Sequence, residues 1–197
     1  LAVFAKSIFF AQKYFINYPL MPSNLKRRRL PPWLKVKAPG HPNYVDIKNL
    51  IADLRLNTVC ERAQCPNIGE CWSQRTATFM ILGDICTRSC GFCAIKTGKP
   101  KILDEDEPER VATAIAYLDL RHAVITSVNR DELPDGGAKI FARTIEAVHR
   151  QCPHTTIEVL IPDFKGDWTA LGTVMAAAPD ILNHNIESPP RLYFKMR

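Results

Sequence analysis

The stretch that decides the fold is Thr78-Phe-Met-Ile-Leu-Gly-Asp-Ile-Cys-Thr-Arg-Ser-Cys-Gly-Phe-Cys93. It opens with a short apolar run of β type, Thr78–Gly83, and three cysteines follow directly at positions 86, 90 and 93. In α/β folds the loops at the carboxyl ends of the strands carry the functional site. We therefore predict a strand that leads into a site loop.

Downstream of this stretch, helical and strand patterns alternate. A helix is predicted from Glu107-Pro108, capped by Asp104 or Asp106, because proline and acidic residues favour the first turn. The further predicted elements are strand His122–Ser127, a turn at Asp135–Gly137, helix Ala138–Arg150, strand Thr155–Ile161, helix Trp168–Ala178 ended by Pro179, and strand Ile181–Ile186.

Near-continuous apolar strands separated by helices indicate a parallel sheet. Four strands with three crossover helices predict the α/β fold class, as half of a (β/α) barrel. The fourth strand would leave an unpaired edge. We therefore expect a chain truncated at its C-terminus, with residues 78–197 as the N-terminal part of the barrel.

The basic charge is concentrated upstream of this region. Residues 1–50 hold nine Lys or Arg and one acidic residue, whereas residues 51–197 hold 17 and 19. We interpret residues 1–40 as a basic, solvated arm; contact with nucleic acid or an acidic protein is the alternative. Residues 1–20 are expected to be an upstream artefact or a transit peptide. Residues 41–77 form a cysteine-rich extension with a helix at 45–56.

Composition restricts the class of protein. The 197 residues are 46% hydrophobic and 23% charged, which is typical of a globular domain. No uncharged apolar run reaches the roughly 18 residues of a membrane helix. No secretory cleavage site is evident, so a reducing compartment is expected. We predict a bacterial cytoplasmic location, or a mitochondrial or plastid one if the leader is a transit peptide.

The second cysteine group reads Cys86-x3-Cys90-x2-Cys93. Thiolates bind iron–sulfur cubes, normally one to each iron. Three ligands leave one iron open, and that iron can chelate the amine and carboxylate of S-adenosylmethionine. The spacing, with Phe92 before the last cysteine, resembles the radical S-adenosylmethionine (SAM) superfamily. A zinc site, which needs four ligands, and disulfides are the alternatives. Cys152 is interpreted as an ordinary thiol.

The first group, Cys60-x4-Cys65-x5-Cys71, predicts a second cluster whose fourth ligand comes from elsewhere. With these cysteines and several collinear motifs, the chain resembles the lipoyl synthase family from about Leu30 to Tyr193. The motifs are Gly83-Asp-Ile-Cys-Thr-Arg88, Val124-Ile-Thr-Ser-Val-Asn-Arg-Asp-Glu-Leu133, Pro134-Asp-Gly-Gly137, Pro162-Asp-Phe-Lys-Gly166 and His184-Asn-Ile-Glu187.

The resemblance implies an enzyme that inserts two sulfur atoms into an octanoyl chain on a lysine of a lipoyl carrier protein. One [4Fe–4S] cluster would generate a 5′-deoxyadenosyl radical from SAM, and an auxiliary [4Fe–4S] cluster would donate sulfur. Carriers would be the lipoyl domains of 2-oxoacid dehydrogenases and the glycine cleavage H protein. Ferredoxin or flavodoxin would supply electrons. We expect neither a membrane nor a nucleic-acid partner.

The same resemblance assigns site residues. Cys86, Cys90 and Cys93 would hold the radical cluster, and Cys60, Cys65 and Cys71 the auxiliary one. Phe92 would lie near the adenine. The strand-end residues Ser127, Glu158 and Asn185 are candidate contacts to SAM, or satisfied polar groups. Arg130 and Asp131 would face substrate or the auxiliary cluster, or form a surface ion pair.

Two departures from the family stand out. The family completes its auxiliary cluster with a serine from a C-terminal Arg-Ser-Ser-Tyr motif, which this sequence lacks, so we expect this chain alone to be inactive. Asn129 replaces the usual Asp, and Ser188-Pro189 replaces Thr-Val. Another sulfur-inserting radical SAM enzyme and a zinc-binding nucleic-acid module are the alternative functions.

Overall fold

A computed structural model describes Pro31 and residues 39–196. The chain divides into two units, residues 1–35 and 36–197, and every element below belongs to the second. The predicted leader and the basic patch at Lys26–Arg29 lie outside the described residues. No helix within the described residues is long and apolar enough to cross a membrane.

Among the described residues, three helices precede the sheet: α1 (Pro42–Asp53), α2 (Val59–Arg62) and α3 (Ile68–Ser73). Helix α1 begins three residues before the predicted start. His41 caps it by accepting a hydrogen bond from the Asn43 N–H, and Pro42 suits the first turn. The side chain of Trp72 on α3 is fully buried, so the cysteine-rich extension packs into the same core as the sheet.

The remaining elements alternate as the sequence predicts. They are β1 (Thr78–Ile81), α4 (Glu107–Leu118), β2 (His122–Ser127), α5 (Ala138–Gln151), β3 (Thr156–Leu160), a 3₁₀ turn (Phe164–Gly166), α6 (Trp168–Ala176), β4 (Ile181–Asn183), a 3₁₀ turn (Pro190–Leu192) and α7 (Tyr193–Met196). The predicted bounds of β2 and the predicted starts of α4, α5 and α6 are confirmed.

The four strands form one sheet in the order β1-β2-β3-β4, and each neighbouring pair is parallel. This confirms the predicted half barrel. Among the described residues, β4 pairs with β3 alone, and its Ile181 and Leu182 are 38% and 39% exposed. On β2 and β3, Ala123, Ile125, Ile157 and Val159 are buried under the helices, whereas the alternate positions carry half-exposed side chains.

Five elements end earlier than predicted, among them α1 at Asp53 instead of residue 56 and β3 at Leu160 instead of Ile161. In the other three, the chain turns at a positive φ or leaves the sheet. Strand β1 stops at Ile81, since Leu82 and Gly83 have φ of 69° and 93°. Helix α6 stops at Ala176, and Ala178, with φ 55°, leads into Pro179. Strand β4 stops at Asn183, the last residue paired with β3.

The predicted capping position of α4 is confirmed at Asp106, but the Asp106 side chain makes no capping hydrogen bond. Asp104 accepts a hydrogen bond from the Asp106 N–H at 3.2 Å, one residue before the helix. The first-turn acid Glu107 is buried rather than solvated, being only 3% exposed.

Candidate active site

The triple-cysteine loop, residues 86–93, follows β1 and is closed by a backbone ladder. The Cys86 N–H donates to Lys96 O at 2.9 Å, and the Gly98 N–H donates to Cys86 O at 3.0 Å. The Thr97 hydroxyl donates to Arg88 O at 3.0 Å. These hydrogen bonds hold the two ends of the loop together, so the three cysteines lie on one short, closed loop.

All three of these cysteines line one cavity at the carboxyl edge of the sheet. Phe92, Ser127 and Asn185 line the same cavity. Phe92 is 47% exposed, so its ring lies at the mouth. The structure thus brings together six of the sequence-predicted site residues, which come from the loop after β1, from the end of β2 and from the segment after β4.

Ser127 supplies the most informative atom in this cavity. Its Oγ is buried and has no hydrogen-bond partner among the described residues. A buried hydroxyl without a partner is costly, so such an atom calls for an explanation. Its position in a cavity with three thiols fits a polar ligand that bonds to Ser127.

The sulfur of Cys86 already receives two backbone N–H groups. The Arg88 N–H lies 3.4 Å from Cys86 Sγ, and the Asn129 N–H lies 3.3 Å from it. Amide donors favour a negatively charged sulfur, and hydrogen bonds to the ligand sulfurs tune the potential of an iron–sulfur cluster. The backbone around Cys86 therefore supplies two hydrogen-bond donors to its sulfur.

Arg88 anchors the triple-cysteine loop to the loops after β2 and β3. Its guanidinium donates to both oxygens of Asp131 at 2.8 and 2.7 Å, and to both oxygens of Asp163 at 2.5 and 2.7 Å. The bonds from Arg88 lower the pKa of Asp131, and the two carboxylates raise the pKa of Arg88. Thr87 also donates to Asp131 at 2.9 Å. Asp131 is therefore an anchor of the loop.

Glu158 is not brought to the cavity. It lies in the middle of β3, opposite Val124 of β2 and Ile181 of β4. Its carboxylate is bonded to His122 Nε2 at 2.7 Å and accepts from Asn183 Nδ2 at 2.5 Å. Glu158 is thus a satisfied polar group on the half-exposed face of the sheet, two residues short of the end of its strand.

Arg130 is buried, with 5% of its surface exposed. It does form an ion pair, with the exposed Glu132, but the Arg130 side chain itself does not lie at the surface. Its guanidinium donates to Leu82 O at 2.9 Å, Lys101 O at 3.0 Å and Glu132 Oε1 at 2.5 Å.

The N-terminal cysteine group consists of Cys60 on α2, Cys65 in the following turn and Cys71 on α3. The Cys65 N–H donates to Cys60 O at 3.0 Å, which closes the turn between the two helices. Burial raises the pKa of the Cys71 thiol, and the nearby charges of Cys60 and Cys65 raise it further. The Cys71 thiol therefore lies near both other cysteines of the group.

None of the seven cysteines, all of which lie in the described part of the chain, forms a disulfide. Within residue 31 and residues 39–196, no three His, Cys, Asp or Glu side chains converge around the position of a single metal ion. A four-iron cluster takes one thiolate for each iron. Its ligands therefore stand further apart than those of one ion.

Comparison with known proteins gives two family matches. The N-terminal domain of lipoyl synthase of the radical SAM family matches residues 12–65, and the radical SAM superfamily matches residues 80–197. The chain belongs to the radical SAM superfamily. The resemblance noted in the sequence is thereby confirmed. Radical SAM proteins use a [4Fe–4S] cluster and S-adenosylmethionine, and the cavity at Ser127 is lined with the thiols that such a cluster needs.

Curated relatives are lipoyl synthases. The chain is 61% identical to that of Chloroflexus aurantiacus over 173 residues, which is 88% of this chain and 56% of the relative. It is 61% identical to that of a Roseiflexus species, covering 90% and 58%. It is 57% identical to that of Symbiobacterium thermophilum, covering 92% and 58%. The radical SAM chain thus spans a little over half the length of these relatives.

Several residues of this cavity are not among the site residues predicted from the sequence. Glu187 and Asn129 line the cavity, and Arg88 lies in its wall. An arginine inside a cysteine loop, with an Asp-rich motif downstream, is a signal that could have indicated the Arg88 anchor. The burial of Glu107 has no such signal, because acids in a first helical turn are ordinarily solvated.

Proposed function

We propose that the intact protein is a lipoyl synthase, which inserts two sulfur atoms into an octanoyl group carried on a lysine of a lipoyl carrier protein. The observation that supports this most directly is the cavity lined by Cys86, Cys90 and Cys93 next to the buried, unpartnered Ser127 hydroxyl. The identity to curated lipoyl synthases selects this activity among the reactions of the superfamily.

In this proposal Cys86, Cys90 and Cys93 hold a [4Fe–4S] cluster through three of its irons. When bound, the cluster supplies the electron that cleaves S-adenosylmethionine. The chain itself binds and orients the cofactor. Ser127 donates its hydroxyl to a polar group of S-adenosylmethionine, and Asn185 contributes an amide in the same cavity. Phe92 covers the adenine at the mouth and limits the access of water.

Cys60, Cys65 and Cys71 hold the second cluster, which serves as the sulfur source. Burial, and after it the nearby Cys60 and Cys65, raise the pKa of Cys71, and a cationic metal centre bound by the three thiols would offset both effects, which supports this assignment. The fourth ligand is, by the family resemblance, the serine of a C-terminal Arg-Ser-Ser-Tyr motif. In this proposal residues 41–77 form the auxiliary-cluster extension, and residues 78–197 carry the radical chemistry.

The proposed carriers are lipoyl domains of 2-oxoacid dehydrogenases and the glycine cleavage H protein, with ferredoxin or flavodoxin as reductant and the bacterial cytoplasm as location. An alkyl chain offers no acidic or basic handle, so the protein contributes position and exclusion of water. The apolar residues Ile95, Val128, Leu160 and Ile161 in the cavity wall suit such a chain.

Three cysteine variants of the intact protein, reconstituted anaerobically, test the proposal. Cys90→Ala should abolish cleavage of S-adenosylmethionine and lower the iron content from about eight to about four per chain. Cys65→Ala should lose a similar amount of iron, keep cleavage and form no lipoylated product. Cys152→Ala is the matched control, because its thiol lies outside both groups, and it should keep full iron and full activity.

Two results would overturn the assignment. Cleavage that survives in Cys90→Ala would show that the triple-cysteine loop does not hold the radical cluster. Lipoylated carrier formed by Cys65→Ala would show that the N-terminal cysteine group does not donate sulfur. Product is measured by mass spectrometry of an octanoylated carrier domain, and 5′-deoxyadenosine by chromatography.

A further inference from the structure

The turn that joins β1 to the triple-cysteine loop has an unusual backbone. Leu82 and Gly83 adopt φ of 69° and 93°, consecutively left-handed. This region disfavours a residue with a Cβ such as Leu82. Leu82 is also only 2% exposed, so this turn lies in the interior of the protein. Something in the surrounding structure must hold this turn in place, and Cys86 follows three residues later.

Glu107, the first residue of α4, holds one side of the turn. Its carboxylate accepts the Leu82 N–H at 2.7 Å and is also hydrogen-bonded by the Gly83 N–H. Successive N–H groups of a left-handed turn converge on one point and form a natural cradle for an anion. Here an internal carboxylate, itself 3% exposed, fills that cradle.

Arg130, from the loop after β2, holds the other side. Its guanidinium donates to Leu82 O, whereas the Glu107 carboxylate accepts the Leu82 N–H. The two peptide groups that flank Leu82 are therefore each held by one charged side chain. Arg130 also donates to Lys101 O, in the segment that leads out of the triple-cysteine loop. One guanidinium therefore connects the entry and the exit of that loop.

Stability alone does not account for these two residues. Burying a carboxylate and a guanidinium is costly, and well-packed apolar residues are often at least as stabilising. Among the described residues, Glu107 and Arg130 are not paired with each other: Arg130 is ion-paired with Glu132, and what Glu107 and Arg130 share is the backbone of Leu82, to which each is hydrogen-bonded. What such bonds secure is one backbone conformation, and therefore the direction in which the chain enters Cys86.

We propose that Glu107 and Arg130 are positioning residues that clamp the Leu82–Gly83 turn and thereby set the triple-cysteine loop for its cluster. The proposal rests on the proposed function, because it takes that loop as the cluster site. Neither residue lines the cavity of Ser127, so both act through the backbone they hold.

Hydrogen exchange of the reconstituted intact protein tests the clamp without an activity assay. In Glu107→Ala, amides of residues 82–86 should exchange at least about tenfold faster, the equivalent of one lost hydrogen bond. Amides of β2 and β3 should not change. Glu107→Gln keeps an acceptor oxygen and should restore most of the protection. Glu109→Gln, two residues along the same helix and exposed, is the matched control and should match the wild type.

Iron retention gives the second readout. Glu107→Ala should lose the iron of one cluster during gel filtration, and the electron paramagnetic resonance signal that responds to S-adenosylmethionine should fall with it. Glu107→Gln should retain both. Arg130→Lys should loosen the same amides as Glu107→Ala, which keeps the test decisive if the alanine variant does not fold.

The clamp is overturned if Glu107→Ala and Arg130→Lys leave residues 82–86 protected. It is equally overturned if exchange rises uniformly over β2 and β3, since that result would indicate a general loss of stability. If the wild-type protein takes up no iron, the proposed function is refuted. The hydrogen-exchange data would still test whether Glu107 and Arg130 hold the turn.

Discussion

Replacing Gly137 with alanine should destabilise the protein far more than the same change at another left-handed glycine. Gly137 precedes α5 with φ 92°, and a Cβ built there would lie 2.4 Å from Leu82 Cδ1 and 3.0 Å from Leu82 Cδ2. Leu82 is buried in the clamped turn and has little room to move. Gly137→Ala therefore adds a steric clash to the cost of the backbone conformation.

The two contributions can be estimated separately. A residue with a Cβ in the left-handed region costs about 1–2 kcal/mol. Overpacking a filled core adds about 1–3 kcal/mol. Together they lower the free energy of unfolding by about 3 kcal/mol, which corresponds to a fall in Tm of roughly 6–12 °C for a chain of this size.

Two further glycines provide matched controls. Gly166 has φ 78° but open space around its Cβ position, so Gly166→Ala should cost only about 1–2 kcal/mol. Gly172 lies within α6 with no atom nearby, so Gly172→Ala should raise the stability by roughly 0.5–1 kcal/mol. Urea unfolding of the three variants, followed by circular dichroism, gives the comparison. Equal losses at Gly137 and Gly166 would refute the predicted clash with Leu82.

Two other predictions concern charged groups. Arg88→Met leaves the carboxylates of Asp131 and Asp163 without their shared partner, so it should lower the free energy of unfolding by about 2 kcal/mol. The control Arg143→Met removes an exposed pair and should lower the free energy of unfolding by less than about 1 kcal/mol. Equal urea midpoints for the two variants would contradict this prediction. Burial raises the pKa of Glu107 from 4.5 to about 7. Because the pKa of Glu107 is higher in the folded protein than in the unfolded chain, the stabilisation by its protonated side chain is fully present below about pH 4.5 and is lost as the pH rises to about 7. The free energy of unfolding should therefore fall by about 3 kcal/mol over that range relative to Glu107→Gln. Parallel pH curves of the two proteins would contradict it.

The sequence by itself determined the order of the elements and the chemistry of the ligands. Strand β2 and the starts of α4, α5 and α6 follow from apolar periodicity, turn residues and proline, all of which act within a few residues. The spacing of Cys86, Cys90 and Cys93 places three thiols in one loop, and the motifs around them identify the superfamily. These features are local, so the linear chain displays them.

The tertiary structure decided which polar groups meet. Arg88 is bonded to Asp131, 43 residues away in sequence, and to Asp163, 75 residues away. These contacts depend on how the loops pack at the end of the sheet. Ser127 is left without a partner in a cavity, whereas Glu158, a similar candidate by sequence, is bonded to His122 and Asn183 across the strands. Ser127 ends β2, whereas Glu158 lies in the middle of β3, where the neighbouring strands bring His122 and Asn183 within hydrogen-bond distance of its carboxylate. Glu107 is buried because the turn at Leu82 folds back onto it, a contact that no local pattern encodes.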